Sequence, residues 1–549
     1  SDHSTHVACT VGGDGTASDG LYRGMAPGVA LESYGSLCCP PGFLYSNPLD
    51  IEQDYDEAIN VYGADLATNS VGTNLCGNGL NCEWTGDYGV TAQLIDAIVR
   101  GSLGQPFRIF WANGNERVCT RCRDEGVHTP DGYHSTAPPA GAKNHITVGA
   151  LSDDDTMTSF SSWGPTDDGR IKPDLSAPGV GVRSCSRNGG YASKSGTSMA
   201  TPAVAGISAL LLQDYRVQFP LRDDPRNSTV KALLAQTAVD LGNPGPDYQS
   251  GYGSVRIRQA IDFLRGNNGL NLLEGVVVQG ESQVINVRVD PGDTKLKITL
   301  AWDDYPGTPN VSPALINDLD LRVRDPNGQI YYPWTLDPDN PQAPAERDVV
   351  DRVNNIEQVF VDSPMFGLWV VEIVGFTVPE GPQPFSLCAS PRIVSDCDEN
   401  GIPDDEQIEE DPSLDCSGNG VIDICEGDCD GNGTVDSCEI FKGTATDCNA
   451  NGLPDGCETF VDCNSNGTFD ACDISSGVAF DCNGDWIPDE CIGLQSDCNH
   501  NGIPDECEID DGLLADCNQN DIPDPCEMID CNGNGELDSC DIDTGVSAD

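Results

Sequence analysis

The residues with the clearest capacity for chemistry are Gly196-Thr197-Ser198-Met199-Ala200-Thr201-Pro202. A hydroxyl stands here among small residues that let an extended polypeptide come close. The run Ala203 to Leu212 behind it is apolar on all sides, which predicts a buried helix over Met199 to Leu212. Pro202 is expected early in that helix, where its missing N–H costs least. Unpaired amides at a helix N-terminus favour negative charge developing beside them, so the pattern suits a serine nucleophile. Other reactive types say less. Cys119-x-x-Cys122 has redox or zinc spacing, but 26 cysteines against six histidines favour disulfides and an oxidising compartment. Cys38, Cys39, Cys76, Cys82 and Cys185 are expected to be bridged too, with unreadable connectivity. His128, His134 and His145 fall at no metal-ligand spacing.

The serine segment resembles the nucleophile motif of the subtilisin family of serine peptidases, and three further segments extend the likeness. His3-Ser4-Thr5-His6-Val7-Ala8 is similar to the family's histidine motif. That similarity implies His3 as general base, with His6 structural. Ala112-Asn113-Gly114-Asn115-Glu116 resembles the oxyanion-hole segment, with Asn115 as donor. Asn69-Ser70-Val71-Gly72 resembles the strand that pairs with the substrate backbone, so Ser70, Val71 and Gly72 are implied substrate-binding residues. Phe160 to Pro165 and Lys172 to Gly179 match family landmarks. The implied chemistry is acyl transfer: His3 takes the Ser198 proton, and the Asn115 amide with the Ser198 N–H holds the oxyanion.

The family order is Asp, His, Ser, which places the aspartate upstream of His3. Asp2 is adjacent to His3 and cannot serve, because neighbouring helix side chains point in different directions. The expectation is an N-terminally truncated fragment, nearly inactive as given. Two departures stand out: Ser4 and Cys9 occupy positions where glycine is usual, and Cys9 puts close helix packing in question.

The elements that must position these residues read as three regions. Residues 1–265 alternate short apolar strands and helices, an α/β pattern. Phe107–Ala112 and His145–Ala150 are candidate buried strands; Val90–Val99 is a candidate helix. Residues 270–392 alternate apolar and polar types in segments such as Val284–Val289, Leu296–Trp302 and Leu368–Ile373. Turn signals separate them, predicting an all-β sandwich. Leu315–Leu321 and Pro382–Cys388 resemble parts of the sandwich that follows the catalytic domain in one branch of the subtilases and in proprotein convertases.

Residues 396–549 repeat Asp-Cys-Asn-x-Asn-Gly-x-x-Asp-x-Cys-Glu, with copies starting at Asp396, Asp415, Asp428, Asp447, Asp462, Asp481, Asp497, Asp516 and Asp530. Oxygen-bearing residues at positions 1, 3, 5, 9 and 12, with Gly at 6, have EF-hand calcium-loop spacing. Three intact copies give candidate ligands Asp428, Asp430, Asn432, Asp436 and Glu439; Asp447, Asn449, Asn451, Asp455 and Glu458; and Asp497, Asn499, Asn501, Asp505 and Glu508. The copies starting at Asp481 and Asp516 have lost the glycine and should bind poorly. The separations are too short for paired EF-hand helices, so the array looks like the calcium loops of dockerins or thrombospondin type 3 repeats. Of its 17 cysteines, pairing within loops leaves Cys397 free to reach Cys388, whereas pairing between successive loops strands Cys540. Parity favours the first scheme.

The net charge of −61 argues against nucleic acid or anionic membrane as partner. From Asp396 onward 42 acidic residues face one basic residue, Lys442, so −41 lies there. No apolar run reaches the roughly 18 residues of a membrane helix. The reading is a secreted or cell-surface serine endopeptidase acting on protein or peptide substrates, with calcium as cofactor and a surface or matrix partner for the repeats. The alternative is a non-catalytic calcium-dependent adhesion or anchoring protein on a dead peptidase fold.

Overall fold

A computed structural model describes residues 1–34, 45, 48, 50–220, 222–398, 400, 402–459, 461–463 and 466–481, with positions 486, 488, 491, 505–510, 514 and 523 beyond them. Cys38 and Cys39 lie outside the described residues, as do Asp497, Asn499 and Asn501. Two compact units emerge, Ser1–Ser395 and Asp396–Asp549.

The first unit opens with helix α1 (Asp2–Gly12) and α2 (Ile51–Asn60). Strands β1 (Leu66–Asn69), β2 (Arg108–Ala112), β3 (Ile146–Leu151) and β4 (Leu175–Pro178) form a parallel sheet in that order, with helix α3 (Val90–Val99) between β1 and β2. Every residue of β2 and β3 is buried, as expected of strands in a sheet covered by helices. The hairpin β5 (Val182–Cys185) and β6 (Tyr191–Lys194) precedes helix α4, Thr197–Gln218. That helix begins two residues before the sequence expectation and runs six residues further. Cys9, which stood where glycine is usual, is bonded to Cys185 and ties α1 to the hairpin. Gly206 of α4 accepts the close approach: a Cβ there would meet Met25 Cβ at 2.7 Å.

Helices α5 (Asn227–Thr237) and α6 (Ile257–Arg265) complete the α/β part. Strands then alternate between two antiparallel sheets. One holds β8 (Ser282–Val289), β10 (Asp318–Arg324), β11 (Ile330–Tyr331), β13 (Gly367–Thr377) and β15 (Arg392–Val394) in the order β11-β10-β13-β8-β15. The other holds β7 (Leu272–Val277), β9 (Lys295–Ala301), β12 (Ile356–Asp362) and β14 (Gln383–Ser390) in the order β12-β9-β14-β7. Val287, Ile298, Leu321, Trp369 and Phe385 share one core between them.

These sheets are not a loosely tethered appendage. Helix α5 lies against β9 and β14: Gln236 donates to Lys297 O at 2.8 Å and accepts from Thr299 Oγ1 at 2.7 Å. Nearby, Lys143 Nζ donates to Asp304 Oδ2 at 2.5 Å, with both side chains fully buried. Asn144 Nδ2 donates to Asp304 O at 2.7 Å, and Asp304 N–H donates back to Asn144 Oδ1 at 2.8 Å.

In the second unit the cysteine pairing departs from the within-loop scheme. Cys397 bonds Cys425, Cys416 bonds Cys438, Cys429 bonds Cys457, Cys448 bonds Cys472 and Cys463 bonds Cys491. Position 2 of each loop thus joins position 11 of the next. Cys388 is a free, buried thiol and does not reach Cys397.

Candidate active site

Helix α4 presents Ser198 in its first turn, with Gly196 capping it in an extended, positive-φ conformation. Pro202 lies a full turn inside, not in the first turn. Its missing N–H leaves the Ser198 carbonyl without a helical donor. Ser70 fills the gap: its hydroxyl donates to Ser198 O at 2.9 Å. Ser198 Oγ in turn donates to Ser70 O at 3.4 Å. The end of β1 and the start of α4 are therefore stitched together, and the proline explains why. The motif reading missed this role of the Ser70 hydroxyl; the spare carbonyl four residues before Pro202 was the signal for it.

Asn115 follows β2 after Gly114, whose φ of 108° is left-handed and whose added Cβ would stand 2.9 Å from Ala137 Cβ. The Asn115 Oδ1 accepts from Thr197 N at 3.0 Å and Thr197 Oγ1 at 3.3 Å. That fixes the amide against the first turn of α4, and its NH2 makes no bond among the described residues. An exposed amide NH2 beside a helix N-terminus can donate to an anion. Val71 O accepts from Trp111 Nε1 at 2.7 Å, while Val71 and Gly72 are otherwise exposed and open to an extended chain.

His3 sits exposed on the first turn of α1. Partial desolvation first, then the charges of Lys194 and His6, hold its imidazole below the ordinary value. Among the described residues no hydrogen bond joins it to Ser198. His6 is buried, with Nε2 on Val182 O at 3.0 Å and Ala192 O at 3.1 Å, a bracket that fixes the hairpin to α1. Asp2 does not orient either histidine. Its carboxylate accepts from Lys194 Nζ at 2.7 Å, Arg187 N at 3.0 Å and Ser186 Oγ at 3.1 Å, and these bonds hold its pKa far below the carboxylate range. Beside His3 a cavity of about 1120 Å³ runs along β1, lined among others by Val7, Tyr55, Leu66, Ser70 and Leu210. Among the described residues β1 pairs with β2 alone, so its other edge faces this groove.

For a metal, the repeat loops are the best-formed candidates. In the loop at Asp428, that carboxylate accepts from Asn432 N and Gly433 N, and Asn432 Nδ2 donates to both Asp430 and Glu439. The loop at Asp447 repeats this: Asp447 accepts from Asn451 N and Gly452 N, and Asn449 and Asn451 donate to Glu458. Gly433 and Gly452 have φ of 90° and 85°, which lets the chain curl so that positions 1, 3, 5 and 12 converge. Position 9 does not join them. Asp436 Oδ1 accepts from Cys429 N at 3.1 Å and Asp455 Oδ1 from Cys448 N at 2.8 Å, so these carboxylates cap the backbone beside the inter-loop disulfides. Asp505 and Glu508 are described and buried, but their loop's candidate ligands Asp497, Asn499 and Asn501 lie outside the described residues. Elsewhere Asp318 and Asp320 converge on Arg352, and burial pushes Asp318 up to about 7, so that cluster already has its cation.

A serine hydroxyl at a helix mouth and an oriented amide thus stand together beside a parallel α/β sheet. Residues 1–253 match the model of the subtilase family. Alkaline serine exoprotease A of Vibrio alginolyticus is 28% identical over 334 residues, covering 55% of this chain and 53% of its own. Serine protease AprX of Bacillus subtilis (strain 168) is 35% identical over 242 residues, covering 38% and 48%. The chain thus spans about half the length of these curated relatives. Among solved structures, the prenylagaramide maturation protease PagA is 26% identical, covers 48% of this chain and 84% of its own, and has a TM-score of 0.35.

Proposed function

We propose that this chain acts as a secreted serine endopeptidase of the subtilase type, with calcium-binding C-terminal repeats. The observation that carries the reading is the Asn115–Thr197–Ser198 arrangement, in which the amide is locked by its oxygen onto the backbone N–H of the residue before the serine. Ser198 is the nucleophile, and His3 accepts its proton. The Asn115 NH2 and the Ser198 N–H receive the oxyanion, and Ser70 to Gly72 pair with the extended substrate. His3 also needs a carboxylate to fix its tautomer and stabilise the imidazolium. The apolar groove along the open edge of β1 suits an extended segment that brings one. By analogy with convertases, the two-sheet region stabilises the catalytic part, and its buried polar contacts with Lys143 and Asn144 support that role. The converging oxygens at positions 1, 3, 5 and 12 support calcium in the repeats, which neutralises self-repelling charge.

The test is a fluorophosphonate probe on the full-length gene product. Labelling that disappears in Ser198→Ala supports the peptidase; equal labelling of the variant refutes it. A second reading has one observation in its favour. His3 lacks both a bond to Ser198 and a carboxylate partner among the described residues, as a non-catalytic adhesion protein on the same fold would.

A further inference from the structure

Four cysteines sit behind the candidate site. Cys76 and Cys82 flank the loop after the Ser70–Gly72 segment, and Cys119 and Cys122 follow Asn115 by four and seven residues. They are bonded crosswise, Cys76 to Cys119 and Cys82 to Cys122, so two disulfides lock the substrate-pairing segment to the oxyanion segment. Cys82, Cys119 and Cys122 are buried at 0%, 2% and 0% exposure, whereas Cys76 is exposed. The Sγ atoms of Cys119 and Cys122, which belong to different bridges, lie 3.3 Å apart. This is contact distance for a thiolate approaching a disulfide.

We propose that Cys76 is a modification site for a low-molecular-weight thiol, and that its modification triggers an internal disulfide exchange that unlocks the two segments. The entering thiolate attacks the exposed Cys76 Sγ. The Cys76–Cys119 bond breaks, a mixed disulfide forms at Cys76, and the electron pair leaves on Cys119. That thiolate attacks Cys122 Sγ, forming Cys119–Cys122 and expelling the Cys82 thiolate. Cys82 then attacks the mixed disulfide at Cys76, forming Cys76–Cys82 and returning the entering thiolate. The number of disulfides is unchanged, and no oxidant or reductant is consumed.

Glu116, whose carboxyl is raised by burial, accepts from Cys76 N at 2.9 Å. After exchange both disulfides close within one segment, across Cys-x-x-Cys and across the loop Cys76–Cys82. The covalent cross-links between the two walls are gone. Arg121 to Leu75 O and Leu80 O, with Glu116 to Cys76 N, are the ties that remain.

The full chain is incubated with millimolar reduced glutathione, quenched in acid, alkylated and mapped as non-reduced peptides. The expected result is a rise of about tenfold or more in peptides linked Cys119–Cys122 and Cys76–Cys82, at the expense of the crosswise pairs. Cys9–Cys185 serves as an unexchanged control. In the double variant Cys76→Ser/Cys119→Ser the relay has neither an entry point nor a second attacker, so Cys82–Cys122 survives the same treatment. Retention of the crosswise pairs in the native chain overturns the proposal. So does their replacement by four alkylated thiols, or equal loss of Cys82–Cys122 in the double variant. If that variant does not fold, the native map alone distinguishes exchange from reduction. The readout does not depend on peptidase activity.

Discussion

Removing the Asp304 carboxylate should destabilise the α/β part and the two sheets together. Lys143 Nζ is fully buried and bonded to Asp304 Oδ2 at 2.5 Å, Tyr305 O at 2.5 Å and Ala314 O at 2.7 Å. Asp304 also accepts from Ile316 N at 2.9 Å and Asn317 N at 2.7 Å. In Asp304→Ala the ammonium keeps two carbonyls but loses its counter-charge, and two buried amides lose their acceptor. Breaking one side of a buried pair in this way costs about 3–5 kcal/mol. Two carbonyls remain on the lysine, so the lower half of that range is expected. The double variant Lys143→Met/Asp304→Leu removes the stranded charge and should recover most of the loss. Urea unfolding followed by hydrogen exchange reads both parts: peptides from β2–β3 and from β9–β14 should lose protection at the same lowered midpoint. The reasoning is refuted by a loss below about 1 kcal/mol, by a double variant no better than the single, or by β9–β14 opening while β2–β3 stays protected.

Ser70→Ala should leave the Ser198 carbonyl without a donor and slow fluorophosphonate labelling about fivefold, the worth of one hydrogen bond of about 1 kcal/mol; an unchanged rate would show the tie to be idle. Burial, with Arg123 and His134 nearby, pushes His128 down to about 4, and its ring nitrogens have no partner among the described residues. The unfolded chain, with an ordinary histidine near about 6.5, takes up its proton first as pH falls. Stability is therefore full above about pH 6.5 and is lost towards about pH 4, and His128→Gln should flatten the fall in Tm across that window. Equal slopes would exclude His128 as the cause. Millimolar calcium should compact residues 396–549, as read by small-angle scattering with and without chelator; unchanged profiles would favour a solvated acidic tail. Asp436→Asn should cost less calcium affinity than Asp428→Asn, because Asp436 is engaged by Cys429 N and does not converge with the other oxygens of the loop. Equal losses by titration calorimetry would restore position 9 to the ligand set.

The local identities of the site were legible in the sequence because they depend on short-range chemistry. Gly196–Pro202 announces a serine at a helix mouth, Ala112–Glu116 resembles an oxyanion-hole segment, and a recurring twelve-residue pattern announces oxygen-rich loops. Helix Val90–Val99 and strand Arg108–Ala112 followed from apolar periodicity within one or two residues of their ends. Tertiary structure decided what depends on distant partners. Cys119 and Cys122 have the spacing to bond each other, yet Cys76 and Cys82 claim them. In the repeats, parity of cysteines could not reveal that each loop leans on the next. Position 9 carries the acid that the calcium spacing asks for, but a neighbouring backbone N–H captures it. Pro202's vacancy is local, whereas the Ser70 hydroxyl that fills it arrives from 128 residues away. Lys143 and Asp304 are ordinary surface types by sequence, and only folding buries both and makes each necessary to the other. Composition and period fix which groups are available; the packing of distant segments fixes which of them meet.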